Sequence, residues 1–154
     1  MEDHTGWMKY ALQEAQKAFD KGEVPVGAVV VHDGVVVGKG YNLVETLQDP
    51  TAHAEMLAIT AAANYLASWR LDDSALYTTL EPCTMCAGAI LLARIPLVVF
   101  GAKDPRYGAC GSVLQVAMND KLDVSTKVIS GVLETESQEL LQKFFEKIRS
   151  MDEK

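Results

Sequence analysis

The chain has 154 residues, 49% of them hydrophobic, and three cysteines. A chain of this length can bury a core without disulfides, so we expect one domain over residues 1–154. No run approaches the roughly 20 apolar residues that span a bilayer, and "MEDHTGWMKY" lacks the basic and apolar regions of a signal peptide, which predicts a soluble, cytoplasmic protein without a membrane segment. The net charge of -7 disfavours broad nonspecific nucleic-acid binding, so any such binding requires a local patch.

The first part of the chain predicts a helix followed by a hairpin. Apolar residues recur at helical spacing over 6–21, and Gly22 stands where a C-terminal cap would. Two valine-rich runs, "VGAVVV" and "VVVGKGYN", flank Asp33-Gly34, which is typical of a tight hairpin turn. These runs are the first two predicted strands.

Helices and strands continue to alternate through the middle of the chain. We interpret 43–51 as a loop, and the residues from Ala52 to Ala67 predict a helix that begins near His53. "ALYTTL" then reads as a short buried strand, and Pro82 precedes a second Ala/Leu-rich helix.

The last third adds two strands and a closing helix. "LVVFG" predicts a fourth strand, and "STKVISGV" a weaker fifth one after a stretch, 112–126, that has no clear pattern. Thr135 and Gln138 match a capping box before an amphipathic C-terminal helix. The interspersed elements predict an α/β fold with three layers, in which helices flank a five-stranded mixed sheet.

Two of the predicted helix starts carry residues typical of metal sites. His53 and Glu55 lie at one start, and Cys83 and Cys86 lie at the other. One histidine and two cysteines form a three-ligand zinc set of the catalytic kind, which leaves a fourth position for water. Glu55 is placed to face that water, so that it can take its proton and deliver it to a substrate.

Each motif alone has a plainer interpretation. A histidine near a helix start is often a capping or surface residue, and a CxxC pair can be a thioredoxin-like redox site or half of a four-cysteine zinc site. Only Cys110 remains to complete a four-cysteine site, and it is expected to be a packing residue. The combination of HAE, 53–55, and PCTMC, 82–86, is the pattern of zinc nucleobase deaminases.

Several segments extend this pattern to a particular family. At "VPVGAVVV", "HAEMLAI", "TLEPCTMCAGAI", "FGAKDPRYGACGS" and "LLQKFF", the chain closely resembles the bacterial tRNA-specific adenosine deaminases, within the cytidine deaminase-like superfamily. The resemblance implies a single zinc-dependent deaminase domain and a homodimer with one Zn²⁺ per subunit. It also implies deamination of adenosine to inosine at the first anticodon position of an arginine tRNA.

The resemblance further implies a role for each matching residue. His53, Cys83 and Cys86 bind zinc and Glu55 shuttles protons, while Asn42 holds the flipped nucleoside. Backbone amides near Ala54 and Cys83 contact the base or the oxygen nucleophile, and Asp104 meets the ribose of the neighbouring nucleotide.

Basic and aromatic residues near Asp104 indicate a local contact with an RNA loop. Lys103, Arg106 and Tyr107, with Arg94 nearby, offer phosphate contacts and a stacking face, although a solvated loop is the plainer interpretation. Anticodon loops already expose their bases, which makes the flipping of one base inexpensive. The expected partner is therefore a tRNA anticodon loop.

Two departures from the family support an alternative substrate. The segment "KLDVSTKV" lacks the Asn-His pair that family members commonly carry there, and the C-terminus lacks the basic tail of many relatives. The alternative is a paralogous deaminase of a free base or nucleoside, such as guanine.

Overall fold

The structure, a computed structural model, describes residues 3–152, so that residues 1–2 and 153–154 of the expected domain lie outside the described residues. Its elements follow in chain order: α1 His4–Asp20, β1 Gly27–His32, β2 Val35–Tyr41, α2 Val44–Leu47, α3 Ala54–Leu66, β3 Ser74–Leu80, α4 Thr84–Leu92, β4 Leu97–Ala102, β5 Lys127–Ile129 and α5 Glu134–Asp152.

The five strands form one mixed sheet in the order β2-β1-β3-β4-β5. β1 pairs antiparallel with both β2 and β3, whereas β3 with β4 and β4 with β5 are parallel. The predicted five-stranded mixed sheet is confirmed. β3 is its central strand, and the chain leaves β3 directly into the segment that carries Cys83.

The hairpin of β1 and β2 closes where the sequence predicts it. Asp33 and Gly34 both have positive φ angles, 54° and 70°, as the two central residues of a type I′ turn require. A glycine adopts such an angle without a steric penalty, and aspartate tolerates it better than most residues. The turn residues therefore set the register of the first two strands.

Both faces of the sheet are covered by helices, which makes three layers. Along β1, Ala28 and Val30 pack into one hydrophobic cluster with residues of α3 and with Ile90 of α4. Val29 and Val31 point the other way and pack into a second cluster with α1. Successive side chains of a strand point to opposite faces, so a strand covered on both sides is apolar throughout. Helix α5 also packs against α1 and β4. The predicted three-layer α/β fold is confirmed.

Two details differ from the sequence prediction, and one segment carries no prediction. Residues 44–47, expected to be loop, form the short helix α2. The capping box is wrong, because α5 already begins at Glu134 and Thr135 lies inside it. The segment without a clear pattern, 112–126, consists of turns, bends and irregular stretches, and its Gln115 forms an isolated bridge with Cys110 just before it.

Among residues 3–152, no helix is both long enough and apolar enough to cross a membrane.

Candidate metal centre and active site

The first two metal-ligand candidates occupy equivalent positions on two helices. His53 is the N-cap residue of α3 and Cys83 is the N-cap residue of α4, both with extended backbone angles and neither with a side-chain capping bond. Because these side chains do not cap their own helices, both are available to a ligand between the helices. Cys86 follows in the first turn of α4 and is fully buried.

The three candidate ligands meet in one place. The Sγ atoms of Cys83 and Cys86 lie 3.6 Å and 3.5 Å from Nδ1 of His53, and the ligand atoms of all three residues lie within 4.8 Å of one another. A tetrahedral zinc ion with Zn–S near 2.3 Å and Zn–N near 2.0 Å holds a sulfur and a nitrogen about 3.5 Å apart. The group could therefore hold a metal ion, and its spacing and its donor atoms fit zinc.

The protonation of the cysteines supports the same interpretation. The hydrogen bond from Cys86 lowers the pKa of Cys83 to about 3, and the bond to His53 adds to this effect. The pKa of Cys86 is raised by its bond to Cys83 and by burial, while that of His53 is raised mainly by Cys83. A lowered pKa favours the thiolate of Cys83, the form in which cysteine binds metals.

Glu55 lies beside this group without belonging to it. It is in the first turn of α3 and only 4% exposed. Burial raises its pKa to about 7. A carboxyl group that titrates near neutral pH can both accept and return a proton during a reaction.

A pocket of about 540 Å³ opens next to the candidate ligands. Its lining includes seven of the residues that the sequence singled out: Asn42, His53, Ala54, Glu55, Cys83, Asp104 and Tyr107. They come from the end of β2, the starts of α3 and α4, and the loop after β4. The structure therefore brings the candidate metal centre and most candidate substrate contacts into a single pocket.

Hydrogen bonds to the backbone orient the two polar residues at the pocket walls. Asn42 donates through Nδ2 to the carbonyl of Val24 at 3.3 Å, and its Oδ1 accepts the N–H of Val44 at 3.3 Å. Oδ1 of Asp104 accepts the N–H groups of Arg106 at 2.9 Å and Tyr107 at 3.2 Å. Asn42 thus joins the segment before β1 to the start of α2, and Asp104 holds the loop on which it stands.

The basic residues differ in their placement. Arg106 is exposed and stacks over the ring of Tyr107, with 5.6 Å from Cζ to the ring centroid, so this pair extends the pocket rim. Lys103 is exposed on the same loop. The expectation that Arg94 lies nearby is wrong, because Arg94 follows the C-terminal end of α4 and donates to the carbonyls of Leu91 and Leu92 there. The nine-residue α4 separates it from Cys83 by about 13 Å.

Two buried glutamates at the pocket were not singled out from the sequence. Glu23 is 1% exposed and accepts the N–H groups of Glu45 at 3.1 Å and Thr46 at 2.6 Å, at the start of α2. Glu81 is 2% exposed and accepts hydrogen bonds from the loop after β4. A charged residue directly beside a buried strand, as in "TLEPC", is the signal that could have found Glu81.

The protonation of these two glutamates follows from their partners. Burial alone would raise both pKa values. At Glu23 it is outweighed by the hydrogen bonds from Thr46 and Glu45 together with the charge of Lys21, and at Glu81 by bonds from Ser112 and the nearby backbone. Both pKa values are therefore lowered, and both groups are carboxylates at neutral pH.

This fold, with a His/Cys/Cys group and a buried glutamate beside one pocket, defines a deaminase. The sequence pattern of the MafB19-like deaminases matches residues 2–149, and the chain belongs to that family.

Comparison with known proteins shows which deaminases the chain resembles. The chain is 48% identical over 143 residues to the tRNA-specific adenosine deaminase of Bacillus subtilis (strain 168), a match that covers 93% of this chain and 89% of that protein. A solved tRNA:A34 deaminase, which carries out A-to-I editing at the wobble position of transfer RNA, superposes with a TM-score of 0.85 at 44% identity over 88% of this chain and 99% of its own. The resemblance to the tRNA-specific adenosine deaminases is thus confirmed.

A guanine deaminase from Bacillus subtilis is also similar, with a TM-score of 0.63 and 43% identity over 66% of each chain. Its match covers less of the chain than that of the tRNA:A34 deaminase.

Proposed function

We propose that this chain is a zinc-dependent hydrolase that deaminates adenosine to inosine at the first anticodon position of a tRNA. One observation carries the proposal: the metal-ligand group, Glu55 and the pocket-lining Asn42 and Asp104 surround a single pocket in a chain 44% identical to a tRNA:A34 deaminase. The proposed substrate is an arginine tRNA, as the sequence motifs shared with the tRNA-specific adenosine deaminases imply.

In this proposal His53, Cys83 and Cys86 hold one zinc ion per chain. When bound, zinc lowers the pKa of water and stabilises negative charge on oxygen. Glu55 takes a proton from the attacking water and returns it to the substrate, whose amino group leaves as ammonia. Adenosine and water thus give inosine and ammonia, with no other reactant.

The pocket walls bind and orient the nucleoside. Asn42 offers an amide that can both donate and accept hydrogen bonds, and the helix start at Ala54 offers backbone N–H groups. Asp104, which lines the same pocket, would accept a hydrogen bond from a ribose hydroxyl. A flipped base that fills the pocket also shields Glu55, which is already buried, and its reacting water from bulk solvent.

The exposed rim supplies contacts beyond the reacting base. Arg106 offers a phosphate contact and Tyr107, which is 64% exposed, offers a stacking face. These local contacts accommodate an anionic partner despite the net charge of -7.

The proposal includes one deaminase domain over residues 1–154, a cytoplasmic location and a homodimer. Sedimentation of the zinc-loaded protein tests the dimer. A single monomer boundary at the concentrations used for activity contradicts it.

A second candidate is deamination of a free base such as guanine. The 43% identity to a guanine deaminase and the segment "KLDVSTKV", which departs from the tRNA-specific pattern, favour it. The tRNA candidate is preferred because its relative matches 88% of this chain, whereas the guanine deaminase matches 66%.

Mass spectrometry of the products decides between the two. Zinc-loaded protein is mixed with an ACG anticodon stem-loop, free adenosine, cytidine and guanine, and the Glu55→Ala protein serves as the control. Inosine in the stem-loop alone supports the proposal. An altered free base or nucleoside with the stem-loop untouched establishes the second candidate, and binding of the stem-loop without any product points to a noncatalytic RNA-binding subunit.

A further inference from the structure

Glu81 is a buried carboxylate at the junction of the sheet and the candidate metal centre. It follows β3 directly, and its backbone N–H donates to the carbonyl of Ala102 at 2.8 Å, which continues the pairing of β3 with β4. Along the chain it lies two residues before Cys83. A buried carboxylate is costly unless hydrogen-bond donors surround it, so its partners must account for its presence.

All of its side-chain partners lie on the loop after β4, here called the 104–112 loop. Oε1 accepts the N–H of Asp104 at 3.1 Å and the hydroxyl of Ser112. Oε2 accepts the N–H groups of Cys110 at 3.0 Å and Ser112 at 3.1 Å. One carboxylate therefore joins the two ends of the loop to each other and to the end of β3.

The loop is also wrapped tightly around this carboxylate. A β-carbon at Gly108 would fall 2.5 Å from Cδ and from Oε2 of Glu81, and 2.6 Å from the carbonyl oxygen of Asp104, which leaves room only for glycine. In addition, the N–H of Ala109 donates to the carbonyl of Pro82 at 2.9 Å. The loop thus has one defined position relative to the start of α4.

The chain of bonds continues from Glu81 to the pocket. Asp104, held by Glu81 through its backbone, in turn holds the N–H groups of Arg106 and Tyr107 with its side chain. Asp104 and Tyr107 line the pocket and Arg106 stacks on Tyr107. Three candidate contacts beyond the reacting base, at Asp104, Arg106 and Tyr107, therefore stand on a loop whose ends meet at Glu81.

We propose that Glu81 is a positioning residue for substrate binding: its carboxylate holds the 104–112 loop so that Asp104, Arg106 and Tyr107 meet the nucleotides that flank the reacting base. The inference rests on the proposed function. It separates Glu81 from Glu55, because Glu81 acts through the loop and does not touch the reacting atoms.

The test compares Glu81→Gln with a matched control, Asp73→Asn. The first replaces one acceptor oxygen by an NH₂ group that faces N–H donors, while the second removes an exposed carboxylate just before the other end of β3. Steady-state kinetics are measured on the anticodon stem-loop with zinc-loaded protein. For Glu81→Gln we expect KM to rise about tenfold or more and kcat to change much less, since the lost bonds order the binding loop. Asp73→Asn keeps both values.

Amide hydrogen exchange supplies a readout that does not depend on the substrate. Glu81→Gln should speed exchange at Asp104, Cys110 and Ser112, with protection of β1 and β3 and the zinc content unchanged. An unchanged KM, or unchanged exchange in the 104–112 loop, overturns the proposal. Equal losses of protection throughout the sheet also overturn it, because they indicate a general structural role.

A milder variant covers the case in which Glu81→Gln does not fold. Ser112→Ala removes the hydroxyl donor and keeps the other three, so we expect the same rise in KM and in loop exchange at a smaller size. No change in either quantity counts against the proposal.

The proposed function fails separately, when the wild-type protein leaves the stem-loop unaltered and deaminates a free base. The exchange measurement then decides alone: faster exchange confined to the 104–112 loop supports the role of Glu81 in holding the loop, and unchanged exchange overturns it.

Discussion

Gly40 of β2 lies directly beneath Ala54, the first residue of α3. A β-carbon at Gly40 would fall 2.3 Å from the carbonyl oxygen of Ala54 and 2.7 Å from the nitrogen of Ala58. Gly38 approaches the same helix one turn further along in the same way. Because neither position has a side chain, the backbone of α3 packs directly against β2. This contact sets the distance between the sheet and the N-terminal end of α3, where His53 lies.

Replacing Gly40 by alanine should therefore lower stability and displace the start of α3. The added methyl group must push backbone atoms apart, so we expect the free energy of unfolding to fall by about 1–3 kcal/mol. Urea unfolding measures this change. In Gly88→Ala, the matched control, nothing lies within 4 Å of the added β-carbon in the middle of α4, and we expect a gain of up to about 1 kcal/mol. Equal effects of the two variants would contradict the close contact.

The metal-ligand group gives a second prediction. Cys83→Ser should abolish stable zinc binding, because it replaces one of three ligands with a weaker one. Cys110→Ala is the control, since Cys110 is a buried thiol of a separate hydrophobic cluster and burial raises its pKa to about 12. Elemental analysis of purified protein should find zinc in the wild type and in Cys110→Ala. Loss of zinc from both variants would show that the ligand set is wrongly assigned.

The buried Glu23 predicts the acid sensitivity of the fold. Its pKa is lower in the folded chain than the ordinary value of 4.5, so the unfolded chain binds the proton more tightly. The resulting stabilisation is fully present above pH 4.5 and is lost as the pH falls through the lowered pKa.

In Glu23→Gln the free energy of unfolding should consequently be lower than in the wild type at neutral pH, with a smaller further decrease below pH 4.5. Chemical unfolding at a series of pH values measures both. If the two proteins lose stability in parallel as the pH falls, Glu23 is not the group responsible.

The rim of the pocket predicts how RNA binding responds to salt. If Arg106 contacts a phosphate, Arg106→Ala should reduce the slope of log K against log salt by about 0.7, the value for one contact to a single strand. Arg70→Ala is a matched control, because Arg70 is exposed, pairs with Asp72 at 3.1 Å and precedes β3 at the end away from the pocket. Fluorescence anisotropy with a labelled stem-loop gives the slopes. The same slope in both variants would remove Arg106 from the interface.

The metal-binding part of the candidate site could be predicted, because its residues form short sequence motifs. His53 with Glu55, and Cys83 with Cys86, are close in sequence and stand at helix starts that the composition indicates. The strands could be predicted as well, because β1 is a valine-rich run buried on both faces and the hairpin turn has its own residue preference.

The rest depends on partners that are distant in sequence. Glu23 accepts a hydrogen bond from Thr46, 23 residues away, and Glu81 accepts one from Ser112, 31 residues away. No local sequence pattern predicts either contact. Helix α2 has four residues, too few for a period to show, and it begins where the carboxylate of Glu23 accepts its N–H groups. The start of α5 differs only slightly, since the helix begins at Glu134 whereas the capping box placed its cap at Thr135, and helix ends commonly vary by about one or two residues.

All three candidate metal ligands belong to one continuous segment, 53–86, which includes α3, β3 and the first turn of α4. The two outer walls of the pocket, at Asn42 and Asp104, lie before and after it. Local opening of the 104–112 loop therefore does not disturb the three candidate ligands. We expect a molecule with an open loop to retain its metal ion although it no longer binds substrate. A full complement of zinc in a preparation then reports that this segment is folded, and the fraction of competent molecules has to be counted by titration with a tight-binding substrate analogue.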